Sequence, residues 1–296
     1  MLLSEIHLRD PFILPDGGIY YLYGTRGATC WGRADGFDVY TSADLTQWEG
    51  PFPAFTKPVG FWADRNFWAP EVHLYNGRYY MLASFKSGDH CRGTQILAAD
   101  TPMGPFLPHS DGPVTPRDWE CLDGTLYIEN GQPYMVFCHE WLQVRDGEMC
   151  AIPLRQDLRT AAGDPVVLFR ASQPSWAVRD AESYVTDGPF LYRAQTGALL
   201  MLWSSSRNGV YCQAVSRSCS GMLLGRWTHD PELLVSQDGG HGMVFRTFDG
   251  RLLFTCHQPN QGPLERPRLM EAMEDAGALA IASSDPTQGD SKCGKH

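Results

Sequence analysis

One hairpin pattern occurs five times along the chain, and this repetition constrains the fold more than any other feature. Each copy has an apolar strand, a turn that contains glycine, and a second strand rich in aromatic residues. The turn glycines are Gly17, Gly77, Gly131, Gly197 and Gly250, so the repeat is 53 to 66 residues long. Asn-Gly and Asp-Gly between apolar runs favour hairpins because both residues tolerate positive φ. A repeat of this length predicts the four-stranded blades of a β-propeller.

The repeats extend from residue 10 to residue 258 without a visible domain boundary. We therefore expect an all-β fold over residues 1–282, a five-bladed β-propeller with a central active-site funnel. A β-sandwich of irregular hairpins is the alternative, but a sandwich does not require five similar hairpins. The segment from Leu264 to Asp275 is the one stretch with a helical pattern. Residues 283–296 are polar and rich in Gly and Lys, and we expect them to form a disordered tail.

Charge and cysteine content limit the partners and the compartment. The net charge is −10, without a run of Lys or Arg, which disfavours nucleic acid and anionic membranes as partners. No stretch approaches the ~18 apolar residues of a membrane helix, and the first residues have no signal-peptide pattern. Nine cysteines occur without a CxxC pair, which indicates free thiols and a cytoplasmic protein. The sequence leaves the oligomeric state open.

Acidic residues stand at the start of four of the five repeats. The first strand of each propeller blade lies nearest the axis, so the residues that begin the repeats converge at one mouth. These residues are Asp10, Glu71, Asp123, Asp187 and His241. Crowded carboxylates raise each other's pKa, and such a cluster is typical of a cation site or of acid/base catalysis. Taken singly, each Asp could instead cap a turn, and the histidine could be a core residue.

The second strand of each hairpin returns to the same mouth, and its polar end can bind sugar hydroxyls. These ends include Thr25-Arg26, Ser84, His139-Glu140, Ser204 and His257. Trp31, Phe67, Trp68, Trp141 and Trp203 could either stack on a sugar ring or pack between blades. Inverting glycoside hydrolysis needs a base and a protonated acid ~6.5–9.5 Å apart. A third carboxylate nearby would keep the acid protonated near neutral pH.

Several motifs, in order, resemble those of glycoside hydrolase family 43, the five-bladed propeller enzymes that act on arabinose- and xylose-containing glycans. They are Arg9-Asp10-Pro11, the S-x-D-L-x-x-W turn Ser42–Trp48, Phe67-Trp68-Ala69-Pro70-Glu71, Leu122-Asp123-Gly124 and Gly240-His241-Gly242. The resemblance extends from Leu8 to about Arg268. It implies that Asp10 is the general base and Asp123 the residue that modulates the pKa of the acid. It also implies that His241 helps to hold a central cation, often calcium.

The chain departs from the family pattern at the general acid. The family usually has Glu in an E-G-P context, whereas this chain has Asp187-Gly188-Pro189. Asp is one methylene shorter, so it must lie ~1–1.5 Å closer to the scissile oxygen, a difference that matters for rate. Three interpretations remain: Asp187 is the acid, Glu182 or Glu140 supplies the proton, or the protein binds glycan without turnover.

The resemblance predicts an inverting, exo-acting α-L-arabinofuranosidase or β-xylosidase, with Asp10 as base, Asp187 as acid and Asp123 as modulator. Its substrates would be oligosaccharides or polysaccharide side chains. The expected substrate-binding residues are Trp68, Glu71, Glu140, Ser204 and Arg26. A glycan-binding propeller without catalysis is the alternative. A protein-interaction propeller is disfavoured because it has no need for acidic residues at four of five blade starts.

Overall fold

The structure is a computed structural model that describes residues 1–180 and 182–282. It contains five four-stranded antiparallel sheets, each made of four consecutive strands. Neighbouring sheets contact one another in sequence, and the last contacts the first. The predicted five-bladed β-propeller is therefore confirmed. Residues 283–296, for which we expected a tail, lie outside the described residues.

Within each blade the strands follow chain order from the innermost to the outermost. Blade 1 comprises β1 (Leu8–Asp16), β2 (Ile19–Arg26), β3 (Gly36–Ser42) and β4 (Glu49–Thr56). Blade 2 comprises β5 (Arg65–Tyr75), β6 (Arg78–Lys86), β7 (Gly93–Ala99) and β8 (Leu107–Pro113). Blade 3 comprises β9 (Cys121–Glu129), β10 (Gln132–His139), β11 (Glu148–Pro153) and β12 (Val166–Arg170). Blade 4 comprises β13 (Asp187–Arg193), β14 (Leu199–Arg207), β15 (Val210–Ser218) and β16 (Trp227–His229). Blade 5 comprises β17 (Gly240–Arg246), β18 (Leu252–Gln258), β19 (Arg266–Asp275) and β20 (Ala278–Ile281).

Tight turns set the register of the inner hairpins. In blades 1 to 3 the two inner strands are joined by two residues, Gly17-Gly18, Asn76-Gly77 and Asn130-Gly131, and all six have positive φ. This backbone twist matches the right-handed twist of the flanking strands, which is why Asn-Gly pairs favour hairpins. The turns lie at the end of the propeller away from the starts of the innermost strands.

The apolar core lies between the blades rather than in the central channel. Aromatic rings from blades 1 and 2 pack together, with 5.9 Å between the ring centroids of Phe37 in blade 1 and Phe67 in blade 2. Trp203 fills the cluster between blades 3 and 4 and is fully buried. Phe67 and Trp203 are therefore packing residues, and such rings contribute much of the energy that holds wedge-shaped blades together.

Side chains join the first blade to the last. Among the described residues no strand is shared between blades 1 and 5. Instead, Arg9 Nη1 donates to Glu265 Oε1 at 2.8 Å, and Arg9 Nη2 donates to Asn260 Oδ1 at 2.7 Å. Glu265 is only 1% exposed. A buried, charge-assisted pair of this kind is stronger than a neutral hydrogen bond, so Arg9 acts as a clasp across the junction.

The predicted helix between Leu264 and Asp275 is wrong. Most of that segment is β19, which pairs with β18 from Leu253 to Gln258. The exposed N–H and C=O groups of β18 require a partner strand, and this tertiary demand overrides the local pattern. The helical residues are a short 3-10 turn, Leu3–Glu5, and α1 (Trp141–Val144). In the part of the chain that the structure describes, no helix has the length and apolar character needed to cross a membrane.

Candidate active site

Every innermost strand begins with a β-bulge in which one residue adopts a left-handed backbone, with φ between 46° and 58°. The five residues at the bulges are Asp10, Ala69, Asp123, Gly188 and His241. Bulges re-aim side chains and are common beside active sites, and Asp, His and Gly tolerate this conformation better than branched residues. The repeated bulge is what brings Asp10, Asp123 and His241 to one point.

The bulge register corrects the sequence alignment of two blades. In blade 2 the residue equivalent to Asp10 is Ala69, two positions before Glu71. In blade 4 it is Gly188, one position after Asp187. The Glu71 carboxylate is hydrogen-bonded to His73 Nε2 at 3.0 Å. Because a bulge changes which side chains face the axis, equal positions in a sequence alignment are not equal positions in the site.

Hydrogen bonds between neighbouring blades fix the bulges. Four bulge N–H groups donate to a side chain at the end of the second strand of the preceding blade. The pairs are Ala69 to Thr25 Oγ1 (2.8 Å), Asp123 to Ser84 Oγ (2.8 Å), His241 to Ser204 Oγ (2.6 Å) and Asp10 to His257 Nδ1 (3.2 Å). Ser204 is fully buried, so the structure gives it a role as a support for His241 rather than as a contact to substrate.

Blade 3 breaks this pattern, and the exception involves Asp123. The position that holds Thr25 or Ser84 in other blades is Cys138, which pairs with Leu122. A thiol is a weak acceptor. The Gly188 N–H therefore donates to Asp123 Oδ2 at 3.0 Å. One oxygen of Asp123 is thus held in place by the backbone that follows Asp187.

The bulges surround a cavity of about 60 Å³. Its lining comprises Arg9, Asp10, Trp31, Trp68, Leu122, Asp123, Asp187, Tyr211 and His241. The structure thus brings together the three predicted catalytic residues, the predicted cation residue and Trp68. It does not bring Arg26, Glu71, Glu140 or Ser204 to this lining. Trp31 is 69% exposed and contacts the edge of Trp68 at 5.4 Å between ring centroids, a position suited to stacking on a sugar.

Local partners explain why the remaining candidates lie elsewhere. Arg26 forms ion pairs with Asp38 and Asp35, each at 2.6 Å, which hold its guanidinium over blade 1. The Glu182 side chain is 77% exposed and lies 3.3 Å from Arg179. Glu140 is buried beside an arginine and outside the lining. Of the three residues considered as general acid, Asp187 alone lines the cavity.

Asp10 is held as an oriented anion. Thr25 Oγ1 donates to its Oδ2 at 2.5 Å, and His241 Nδ1 lies 3.3 Å from its Oδ1. Burial by itself would raise the pKa of Asp10, but His241, then His257 and Arg9, and the Thr25 hydrogen bond outweigh it. The pKa is therefore lowered below its usual value. A carboxylate that stays ionised and fixed can accept a proton.

The two histidines beside Asp10 differ in charge. His257 accepts the Asp10 N–H at Nδ1, and its Nε2 lies 3.0 Å from Asn260 Oδ1. These partners assign the neutral tautomer with the proton on Nε2, and burial lowers the pKa of His257 to about 4. For His241, burial would lower the pKa, but Asp10 and Asp123 outweigh it and raise it. The neighbours of His241 thus favour its charged form, whereas His257 is a neutral support.

Asp187 has the opposite character to Asp10. Burial, reinforced by the neighbouring Asp123 carboxylate, raises the pKa of Asp187 to about 7. Burial also raises the pKa of Asp123 to about 6, although the charge of His241 opposes it. Tyr211 Oη donates to Asp187 Oδ2 at 3.2 Å. A carboxyl group that carries a proton near neutral pH in a catalytic cavity is suited to be a general acid.

Protein side chains alone do not form a cation site around His241. Calcium takes six to eight oxygen ligands. Among residues 1–180 and 182–282, no group of three or more His, Cys, Asp or Glu side chains is arranged to hold a metal ion. The imidazole instead contacts the Asp10 and Asp123 carboxylates. The central cation therefore stays a prediction.

Sequence reasoning assigned no role to two polar residues of the cavity, Arg9 and Tyr211. Arg9 stood in the motif beside Asp10, and its partner Glu265 is 256 residues away in sequence, so no local pattern could reveal the pair. Tyr211 is the second residue of β15, the third strand of blade 4, in a run that is typical of an outer strand. It reaches the site because its ring stacks on His257, with 5.5 Å between ring centroids.

Comparison with known proteins places this geometry among glycosidases. The family model described as Glycosyl hydrolases family 43 matches residues 3–274. The crystal structure of an endo-arabinase from Bacteroides thetaiotaomicron VPI-5482 is 42% identical, with a TM-score of 0.86, and the match covers 94% of this chain and 98% of that one. The extracellular endo-alpha-(1->5)-L-arabinanase 1 of Bacillus subtilis (strain 168) is 28% identical over 47% of this chain and 45% of its own length. A xylosidase/arabinosidase from Bacteroides ovatus is 31% identical over 24% of this chain and 23% of its own. The chain thus matches less than half the length of these two curated relatives.

Proposed function

Because the chain belongs to glycosyl hydrolases family 43, we propose that it hydrolyses α-1,5-linked L-arabinan within the chain, with inversion at the anomeric carbon. The observation that carries the chemistry is the contrast between two buried carboxyl groups in one cavity. Asp10 has a lowered pKa, and the pKa of Asp187 is raised to about 7. One is ready to accept a proton and the other to donate one, which is the requirement for inversion.

In the proposed reaction, Asp10 removes a proton from a water molecule as the oxygen of that water attacks the anomeric carbon. Asp187 donates its proton to the glycosidic oxygen as the bond from that oxygen to the anomeric carbon breaks. The products are a new reducing end and a shortened chain with a free hydroxyl. Asp10 ends protonated and Asp187 ionised, so one proton must return from Asp10 to Asp187 through solvent before the next cycle.

Asp123 and His241 set the two protonation states. Asp123 Oδ2 accepts the Gly188 N–H at 3.0 Å, which fixes the backbone beside Asp187. Its negative charge helps to keep the proton on Asp187. His241 places a positive charge 3.3 Å from Asp10 and 3.8 Å from Asp123. That charge keeps Asp10 ionised and limits the repulsion among three buried carboxyl groups.

We propose arabinan as substrate and internal cleavage as the mode because this chain is similar to enzymes named for that activity. The endo-arabinase from Bacteroides thetaiotaomicron matches nearly the whole of this chain at 42% identity, and the Bacillus subtilis relative is described by its name as an endo-alpha-(1->5)-L-arabinanase. The sequence predicted an exo-acting arabinofuranosidase or xylosidase, but no residue identified in it specifies exo cleavage. We therefore propose the endo mode in its place.

The products of linear α-1,5-arabinan test the proposal. The purified protein would be incubated with linear arabinan and, separately, with xylan, and samples would be separated by chromatography over time. We expect arabino-oligosaccharides of mixed length to appear first from arabinan, and no product from xylan. Release of arabinose alone from the earliest samples would overturn the endo mode. Cleavage of xylan without cleavage of arabinan would overturn the substrate.

A further inference from the structure

A second cavity, of about 130 Å³, lies on blade 2 and has no part in the proposed reaction. We call it the blade-2 cavity; its lining includes Trp62, His90, Arg92, Asp111 and Arg117. It lies on the same face as the catalytic cavity. The reason is that residues 87–92 join β6 to β7 and residues 114–120 join β8 to β9, and both connections lie at the mouth where the innermost strands begin.

Arg92 forms the wall between the two cavities. Its Cζ lies 3.6 Å from the centroid of Trp68, and Trp68 lines the catalytic cavity. The guanidinium is held from behind by Glu140, with Nε 3.5 Å from Oε2. The Arg92 backbone N–H donates to Glu120 Oε2 at 2.8 Å. The arginine is thus fixed between Trp68 of the catalytic cavity and the blade-2 cavity.

One donor of this arginine is left without a partner. The Arg92 side chain is 5% exposed, and its Nη1 is buried without a hydrogen-bond partner in the part of the chain that the structure describes. A guanidinium group only donates hydrogen bonds, so an acceptor is the one partner that can satisfy this atom. A buried donor without an acceptor is costly. Its position at a cavity wall therefore points to an acceptor that arrives with a ligand.

We infer that the blade-2 cavity binds a sugar unit of the polymer next to the units in the catalytic cavity, with Arg92 Nη1 donating to one of its oxygens. Trp62 and His90, whose ring centroids are 5.9 Å apart, offer apolar surface to a sugar ring. Acidic Asp111 and Glu140 balance Arg92 and Arg117, which favours a neutral sugar over an anionic one. This inference rests on the proposed arabinan hydrolysis and assigns it a chain substrate.

The blade-2 cavity opens into further space. A groove of about 510 Å³ shares Asp111, Pro113 and Arg117 with it and extends to Trp119 between blades 2 and 3. The blade-2 cavity and this groove are continuous through these shared residues. Together they have room for more than one sugar unit beyond the wall that Arg92 forms.

Binding to a protein that cannot turn over separates this inference from catalysis. In an Asp10→Asn background, titration calorimetry would measure the affinity for arabinotriose and arabinohexaose. Two further changes would be compared: Arg92→Lys, which keeps a charge beside Glu140 but loses the planar fork, and the pair His90→Ala with Arg117→Ala, both at exposed positions. Arg251→Ala, a half-exposed arginine on blade 5, is the matched control.

We expect Arg92→Lys to weaken hexaose binding by about tenfold, since a hydrogen bond from a charged group is lost. Triose binding should change about threefold or less, because a triose bound at the catalytic aspartates need not extend to the blade-2 cavity. The His90/Arg117 double variant should lower the hexaose-to-triose ratio in the same direction, and Arg251→Ala should leave it unchanged. Since both positions are exposed, this variant decides the question even if Arg92→Lys folds poorly.

An unchanged hexaose-to-triose ratio in both variants would overturn the inference while the unmodified protein still cleaves arabinan. If the unmodified protein neither cleaves arabinan nor, as Asp10→Asn, binds either oligosaccharide, the proposed function itself is wrong. The two failures are therefore distinguishable.

Discussion

The Asp10 side and the Asp187 side of one small cavity have opposite chemistry, although burial acts on both carboxyl groups. Each carboxyl group is removed from water, which raises a pKa in both cases. Beside Asp10 the neighbours are His241, His257, Arg9 and Thr25, and the pKa of Asp10 falls. Beside Asp187 the nearest charge is that of Asp123, and its pKa rises to about 7. Neighbours, rather than residue type or depth, decide which aspartate is base and which is acid.

The contrast has its origin in the junctions between blades. Asp10 stands where blade 5 meets blade 1, and the ring is closed there by Arg9 and its partner Glu265. Asp187 stands where blade 3 meets blade 4. At that junction Cys138 replaces the usual hydroxyl, and Asp123 accepts the backbone N–H instead. The closing junction thus supplies positive charge, and the other supplies a carboxylate.

The largest expected effect comes from removing the base. Asp10→Asn keeps an acceptor for Thr25 but cannot take a proton, so we expect kcat on linear arabinan to fall by about 10³- to 10⁴-fold. Initial rates, with circular dichroism to confirm folding, measure this. A loss of tenfold or less would show that the Asp10 side does not supply the base.

The loss of activity on removing the general acid should depend on the leaving group of the substrate. We expect Asp187→Asn to lower kcat/KM on arabinan by about 10²- to 10³-fold. The loss should be much smaller on an aryl arabino-oligosaccharide, because a phenolate leaves without protonation. Glu182→Gln, a change at the exposed candidate, is the control and should retain full activity. Equal losses of Asp187→Asn on both substrates would contradict the assignment of the acid.

Variants of His241 and His257 test whether the charge of a histidine, rather than its hydrogen bonds, sets the pKa values of Asp10 and Asp187. Activity needs Asp10 ionised and Asp187 protonated, so kcat/KM should rise with pH through the lowered pKa of Asp10 and fall near pH 7, the pKa of Asp187. Loss of a positive charge raises the pKa of both groups. His241→Gln should therefore move both limbs to higher pH, by about one pH unit. His257→Asn removes a neutral ring and should move them less. Equal movement in the two variants would contradict the assigned charges.

The smallest effect is expected at Tyr211, the one hydrogen-bond donor to the Asp187 side chain among the described residues. Its hydroxyl favours the ionised form of Asp187, so its loss raises that pKa. Tyr211→Phe should move the descending limb to higher pH by a few tenths and lower kcat/KM by about threefold. The pH dependence of kcat/KM measures both. A limb that moves to lower pH would show that the hydroxyl instead stabilises the protonated acid.

The sequence predicted the blades and part of the site for a physical reason. Five hairpin turns are local features, and in blades 1, 3 and 5 the acidic or imidazole residue falls directly on the bulge. In blade 2 the long strand β5 has two register shifts. The sequence therefore predicted Glu71 at the bulge position, which Ala69 occupies in the structure. A bulge is a property of strand pairing, and no pattern within β5 marks its position.

Contacts distant in sequence were beyond the reach of pattern analysis. Tyr211 and Arg92 reach their cavities from outer parts of their blades, and each stands in a stretch that looks like an ordinary strand or loop. Arg26 shows the reverse case, since its position at a strand end suggested the mouth but two nearby aspartates hold it away. Local pattern predicts where a strand ends, whereas the partner of a long side chain depends on the whole ring.

The anomeric form of the first product tests the account most directly. Linear α-1,5-arabinan would be cleaved by a high concentration of protein in an NMR tube, and the anomeric proton signals would be followed before mutarotation. If Asp10 activates water while Asp187 protonates the leaving oxygen, the new reducing ends appear first as the β-anomer, and the signal is lost in Asp10→Asn. Initial appearance of the α-anomer would contradict a base-and-acid pair and would require a covalent intermediate instead.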